Sequence, residues 1–332
     1  MVNKLTYIES EQYNPYKNLA VEEYLFFHCQ KEECILYLWQ NQHTVVIGRN
    51  QNAWAECLTE KLENEGGYLA RRLSGGGAVY HDLGNLNFTF LVNKENNNVD
   101  RQLEVIQKAV AKFGVCTEKS GRNDILINGR KFSGNAFYKE GSRCYHHGTI
   151  MLDVKLDEMS KYLTVSKEKL QSKGVNSVKS RVVNIKELVP DITVDRMKEA
   201  LREAFEEVYG GQAEVLSMEK LEPAEVNNIT ERLGSWNWKF GRKIPFNETL
   251  THRFNWGQIS LDMCVQEGRI ADIIVYTDAL KPAIAEEIPK YLKGIKYKKD
   301  NICTELGLYW SEDDGENQMM KDIISWLKTV EW

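Results

Sequence analysis

Apolar residues along this chain change period several times, and each change predicts an element. Asn14-Pro15 opens a helix, with Asn as the cap and Pro at the first helical position. The NLAVEEYLFFHCQ that follows places Ala20, Tyr24 and Phe27 on one face. CILYLW (34–39) and TVVIG (44–48) read as strands and, across their polar turn, as a hairpin. YLARRLS (68–74) and LNFTFLV (86–92) are further strands, the second alternating through Leu86, Phe88, Phe90 and Val92. Residues 100–113 predict a helix buried through Leu103, Ile106, Val110 and Phe113 and ended by Gly114. In DILINGRKFSGNAFY (124–138), Asn128-Gly129 lies between two apolar runs, the signature of a two-residue hairpin turn. GTIMLDV (148–154) is one more strand.

From 155 to 190 the pattern dissolves into lysines and serines around SKGVNSVKSRVVN. A helix returns at 194–209, with Val194, Met197, Leu201, Phe205 and Val208 on one side and Gly210-Gly211 after it. Past GSWNWKFGRKIPFN (234–247), strands resume around Glu267-Gly268 and helical stretches run to the end. The expected organisation is a mixed α/β unit over 1–247 and a small α+β unit over 248–332.

Composition narrows this only a little. Hydrophobic residues make up 42% and charged residues 27%, ordinary values for a soluble globular protein. The net charge of −5 argues against a general nucleic-acid binder, which needs a basic balance to neutralise phosphates. Seven scattered cysteines with no CxxC fit reduced thiols rather than a disulfide framework or a zinc site. No secretory leader and no apolar run of membrane-spanning length is apparent, so a cytoplasmic protein without a membrane partner is expected. A monomer is the default.

ARRLSGGGAVYHDLGN (70–85) carries the first candidate chemistry. Its glycines fail the P-loop and dinucleotide patterns, because position 80, five after Gly75, is Tyr. What remains is a strand-to-strand loop whose backbone can approach a ligand and whose N–H groups can face an anion. Arg71 or Arg72 supplies a planar cationic fork; a glycine-rich sheet bend with two solvated arginines is the plainer alternative. The 124–138 hairpin carries the second. With a two-residue turn, Ile127 faces Arg130, Leu126 faces Lys131, and Asp124 faces Ser133. An acid, an ammonium and a hydroxyl then share one sheet face, which is either a surface ion pair or a site.

Four segments together are similar to the lipoate–protein ligase A family of the biotin/lipoate ligase superfamily. They are RRLSGGGAVYHDLGNLNFTF (71–90), GRNDILINGRKFSGNAFY (121–138), HHGT (146–149) and SKGVNSVKSRVVNI (172–185). The resemblance implies a large catalytic domain of mixed β-sheets with flanking helices, plus an accessory C-terminal domain. It implies two steps: ATP and lipoate form lipoyl-AMP and pyrophosphate, and a lysine of an acceptor lipoyl domain then takes the lipoyl group. Acceptors of this kind are 2-oxoacid dehydrogenase E2 subunits and the glycine-cleavage H protein, and octanoate is an alternative acyl substrate. Mg²⁺ is expected with the nucleotide.

By the same resemblance Lys131 is the essential lysine, bound to both nucleotide and lipoate. Arg72, Gly77, Ala78, Val79, Tyr80, Asn123, Asp124, Lys173, Ser177 and Arg181 take the ATP/adenylate side, with Asp124 also orienting Lys131 or assisting Mg²⁺. Ser74, Gly75, Gly76, Ser133, Gly134, Ala136 and His147 take the lipoate side. His146 is read as structural, His81-Asp82 as fixing a loop, and KYLKGIKYKK (290–299) as a solvated helix face. Two rival functions are a cysteine-dependent octanoyl or lipoyl transferase, using Cys144 three residues before His147, and a non-catalytic lipoate-binding sensor.

Overall fold

The computed structural model describes residues 2–120, 124–164 and 181–331. Its strands are β1 (Lys4–Glu9), β2 (Glu33–Trp39), β3 (Thr44–Ile47), β4 (Tyr68–Arg71), β5 (Val79–His81), β6 (Asn85–Asn93), β7 (Glu118–Ser120), β8 (Asp124–Ile127), β9 (Arg130–Glu140), β10 (Arg143–Met151), β11 (Ala213–Val215), β12 (Glu248–Phe254), β13 (Gly257–Gln266) and β14 (Arg269–Thr277). Eight of them form a mixed sheet in the order β11-β1-β2-β6-β10-β9-β8-β7, and β4-β3-β5 form a smaller one. Within the large sheet β1 pairs in parallel with β2 and β11, and the other ladders are antiparallel.

One face of the large sheet is covered by helices α2 (Val99–Ala111) and α3 (Val194–Tyr209), through Ile106, Val110, Leu201 and Phe205 against Leu36, Phe88 and Phe90. Thr193 caps α3 by accepting from the Arg196 N–H, and Gly210 ends it at φ 70°, as the sequence predicts. Helix α1 (Pro15–His28) begins where expected, with Asn14 accepting from the N–H groups of Tyr16 and Lys17. Its buried residues, however, include Leu19, Ala20, Val21, Leu25 and Phe26, while Phe27 is exposed. The face through Ala20, Tyr24 and Phe27 is thus the more exposed side, with Tyr24 only half-buried, and the rest of the circumference is covered. The 34–48 hairpin does not form either: β2 joins the large sheet and β3 the small one.

Contacts divide the chain into two compact units, 1–46 with 56–71 and 79–239, and 47–55 with 72–78 and 240–332. The second has its own core under the β12-β13-β14 sheet. There Ile259, Leu261, Met263 and Ile273 meet Ile284, Ile288 and Leu292 of α4 (Ala283–Leu292), with Ile302 of α5 (Lys299–Leu306) and Ile323 of α6 (Asp314–Thr329). Two short segments from the first third of the chain, 47–55 and 72–78, thus belong structurally with its last third. The basic run 290–299 crosses the end of α4, a turn and the first residue of α5, so it is not one helix face.

The Asn128-Gly129 turn is present, with φ of 50° and 74°, the left-handed pair a type I′ hairpin requires. Ile127 faces Arg130 and Leu126 faces Lys131, but then the register slips. Ile125 faces Ser133 and Asp124 faces Gly134, leaving Phe132 as the extra residue of a bulge. Phe132 and Ile125 are both fully buried in the core, and Ser133, opposite Ile125, is buried with them. The expected Asp124–Ser133 pairing is corrected accordingly. Glycine now takes the position beside Asp124, and the reason is steric: a Cβ on Gly134 would stand 2.6 Å from Lys131 Nζ.

Behind the same sheet His146 is fully enclosed, its Nδ1 3.1 Å from Gln102 Oε1 and its Nε2 2.8 Å from Asn135 Oδ1. Burial, with a smaller push from the neighbouring His147, holds its pKa down at about 3. The unfolded chain takes up this proton near pH 6.5 and the folded chain does not. Stability from this site is thus full above 6.5 and falls as pH drops toward 3, by up to about 1.4 kcal/mol per pH unit. Urea midpoints measured between pH 7 and 4.5 should fall more steeply for the natural chain than for His146→Gln; equal slopes would refute the assignment. For Gly134→Ala, the added methyl meets only the flexible end of Lys131, so the melting temperature should move by no more than about 2 °C. The lysine should leave Asp124, and a crystal structure of the variant with that ion pair intact would contradict the steric reading.

Candidate functional site

Strand pairing at the bulge brings two cations to one carboxylate. Lys131 Nζ lies 2.7 Å from Asp124 Oδ1 and Arg181 Nη2 lies 2.5 Å from Oδ2. Arg181 arrives because residues 182–183 run beside β9: Val182 bridges Lys131, and the Val183 N–H donates to the Lys131 carbonyl at 2.9 Å. All three side chains are mostly covered, Asp124 the most at 13% exposure. Counted over these three residues alone, two positive groups on one negative group carry a formal charge of +1, partly out of water, where an anion gains most from it.

Both Asp124 oxygens are thereby taken by cations. Among the described residues no group of three or more His, Cys, Asp or Glu side chains could hold a metal ion. A resident Mg²⁺ on Asp124 does not fit this arrangement, and Asp124 acts here as a counter-ion.

The same face of the sheet continues onto β10 and β6. Gly134 donates its N–H to Thr149 Oγ1 at 3.3 Å, and Ala136 faces His147 across the β9–β10 ladder. His147 Nδ1 donates to Glu22 Oε1 at 2.9 Å, and Thr89 Oγ1 donates to the same oxygen at 2.6 Å. Trp39 Nε1 in turn donates to Thr89 Oγ1 at 3.1 Å. Glu22 comes from α1 and is almost completely buried. Sequence reasoning passed over it, although an acid inside the apolar run LAVEEYLFF is the kind of buried charge that needs a partner. Ser133 does not join this face, for the register reason given above. Cys144 lies on the core side, and burial pushes its thiol pKa up, which disfavours the thiolate.

The two arginines before the glycines have separate duties. In the larger unit Arg71 donates to the carbonyls of Trp238 and Lys239, at 2.9 and 2.7 Å, and accepts at its own carbonyl from Trp238 Nε1. In the second unit Arg72 folds over the glycine loop, donating to Ser74 Oγ at 3.0 Å, Gly75 O at 2.7 Å and Gly77 O at 2.8 Å. Gly76 donates its N–H to Ala279 O at 2.8 Å, and a Cβ on Gly75 would meet that oxygen at 2.3 Å. The run Ser74–Ala78 is therefore built tightly around its own arginine and residue 279.

Val79 and Tyr80 return to the larger unit, where β5 pairs them with Val46 and Val45. The Tyr80 ring stacks on Tyr162 and borders a cleft of about 580 Å³, which His43, Leu83, Leu152 and Lys155 also line. Just beyond, Asp82 accepts from the N–H groups of Gly84 and Lys155, both at 2.9 Å, and His81 Nδ1 lies 3.3 Å from Asn41 Nδ2. These bonds fix the loop, as the sequence reading expects. Asn123, Lys173 and Ser177 lie outside the described residues.

Comparison with known proteins identifies the family. Residues 14–206 match the family model for the lipoyl protein ligase A/B catalytic domain, and residues 243–327 that for the bacterial lipoate protein ligase C-terminus. A lipoate-protein ligase A of Bdellovibrio bacteriovorus is 39% identical over 338 residues, covering 99% of this chain and 100% of the relative. The structure of P. falciparum LipL1 in complex with lipoate superposes with a TM-score of 0.85 at 29% identity, covering 97% of this chain and 99% of that one. A bi-partite lipoate protein ligase of Thermoplasma acidophilum, from a study that includes its E2 lipoyl domain, gives a TM-score of 0.64 at 26% identity over 74% of this chain and 99% of that one. With a catalytic-domain model spanning more than half its length and a full-length relative at 39% identity, the chain belongs to the lipoate–protein ligase A family.

Proposed function

We infer that this ligase activates lipoate with ATP to lipoyl-AMP, releasing pyrophosphate, and then transfers the lipoyl group to a lysine of an acceptor lipoyl domain. The observation that carries the reading is Lys131, held by Asp124 beside Gly134 in a cluster of formal charge +1. In the first step the lipoate carboxylate must approach the α-phosphate of ATP. Two unit charges 4 Å apart repel by about 1 kcal/mol in water and about 4 kcal/mol at an effective dielectric near 20. The Lys131 ammonium offsets that repulsion, holds the carboxylate oxygen and fixes the line of attack. In the second step it stays on the acyl-phosphate oxygens while the acceptor amine attacks the acyl carbon and AMP leaves. Arg181, on the other oxygen of Asp124, is placed to turn toward the phosphate as the carboxylate exchanges partners.

In the larger unit the cleft beside Tyr80 suits the nucleotide base; the family resemblance adds Gly77, Ala78 and Val79 to the nucleotide side and gives Ser74, Gly75, Gly76, Ala136 and His147 to the lipoyl chain. Mg²⁺ would come with the triphosphate oxygens of ATP rather than on a protein site, given how Asp124 is engaged. Residues 1–247 act as the catalytic domain and 248–332 as the accessory domain, in a cytoplasmic monomer that also accepts octanoate. E2 subunits and the glycine-cleavage H protein are the acceptor classes that such chemistry serves.

Incubating an apo lipoyl domain with the protein, lipoate and Mg-ATP should add one lipoyl mass to the domain, with pyrophosphate released. Omitting ATP should abolish the adduct, and Lys131→Ala should slow its formation by at least about a hundredfold, the usual cost of losing one preorganised electrostatic group. No adduct on any tested acceptor together with no pyrophosphate release would reject the ligase reading. Cys144→Ala should keep the natural rate within about twofold; loss of activity in a folded variant would instead favour the thioester transferase.

A further inference from the structure

Among the described residues, the sheet face that carries Lys131 includes a buried donor without a hydrogen-bond partner. Strand β6 alternates between Leu86, Phe88 and Phe90 on the core side and Asn85, Asn87 and Thr89 on the other. Asn87 is 1% exposed. Its Oδ1 accepts from Asn85 Nδ2 at 3.0 Å, yet its Nδ2 is enclosed without a hydrogen-bond partner among the described residues. Leaving a buried N–H unmet is costly, and such groups in native proteins usually await something.

The register shows what lies next to it. Asn87 pairs directly with Thr149, whose hydroxyl accepts from Gly134, and Gly134 pairs directly with Asp124. Residues directly opposite share a face, so Asn87, Thr149, Gly134 and Asp124 form one row across four adjacent strands. Lys131 Nζ lies over the Gly134 position of that row. Two strand spacings, about 10 Å of backbone, separate Asn87 from Gly134.

We propose that Asn87 is a substrate-binding residue whose amide NH₂ donates to a carboxylate oxygen of the acyl substrate, the other oxygen being held by Lys131. The assignment rests on the ligase reading and adds to it a residue that fixes the plane of the carboxylate. The two ends of this amide then separate: the NH₂ stabilises nothing in the free protein, whereas the Oδ1 holds Asn85.

The test is calorimetric titration of the full chain with lipoate alone and with ATP alone, alongside thermal melts, for the natural protein and Asn87→Ala. Lipoate affinity should fall about ten- to a hundredfold, as for loss of a hydrogen bond to a charged group. ATP affinity should stay within about twofold, while the melting temperature falls by a few degrees, because the alanine also strips the buried Asn85 Nδ2 of its acceptor. Asn87→Asp, which keeps the acceptor for Asn85, substitutes if the alanine variant does not fold and should lose lipoate binding further through charge repulsion. Natural protein that binds lipoate beside a folded variant that binds it equally well overturns the assignment alone. A loss confined to ATP overturns it in favour of a nucleotide contact. Natural protein that binds no lipoate rejects the ligase reading and this assignment with it.

Discussion

The candidate site of the larger unit turns on one carboxylate shared by two cations. Asp124 holds Lys131 and Arg181 through separate oxygens, and each of its partners arrives by a different structural route. Lys131 comes across a hairpin ladder whose bulge puts glycine where a side chain would block it. Arg181 comes on residues that run beside β9 and bond to the Lys131 backbone. Without Asp124, two positive groups would face each other partly out of water, a repulsion that low dielectric magnifies. With it, they are held together on one sheet face, and an anion that met them there would need little reorganisation of either.

Much of this was legible in the chain because local rules and the fold agree. Asn14 caps α1, Thr193 and Gly210 bound α3, and Asn128-Gly129 adopts the left-handed pair its residue types favour. The ordered glycine, hairpin, histidine and 172–185 motifs likewise pointed to one family, and the relatives bear that out. Failures fall where tertiary packing decides. Nothing local marks Phe132 as the extra residue of a bulge; it is drawn there by the core it fills. Strands 34–39 and 44–47 are neighbours in sequence yet join different sheets, because β2 finds longer partners in β1 and β6. Glu22 hid within an apolar helix, since its partners His147 and Thr89 are remote in sequence.

The arginines of the glycine loop show how residue type alone underdetermines use. Arg71 and Arg72 are adjacent and both nearly buried, but one secures the carbonyls of residues 238–239 and the other the carbonyls of its own loop. A guanidinium satisfies several acceptors in a plane at once, which lysine cannot do. In each case that property is spent on backbone, shaping a loop or anchoring a short helix. Any contact Arg72 makes with a nucleotide is therefore made by a group that is already part of the loop's architecture.

Sequence order and structural membership part company in segments 47–55 and 72–78, which cluster with the C-terminal unit. Thr277 donates its N–H to the Asn50 carbonyl, Gly76 donates to Ala279, and Arg49 pairs with Glu286. The last ninety-odd residues are thus no detachable appendage, because the glycine loop folds on a surface they provide. A chain shortened at residue 240 would keep the letters SGGGA and lose the scaffold that gives them shape. In this protein the tail is a covalently supplied template for its own glycine loop.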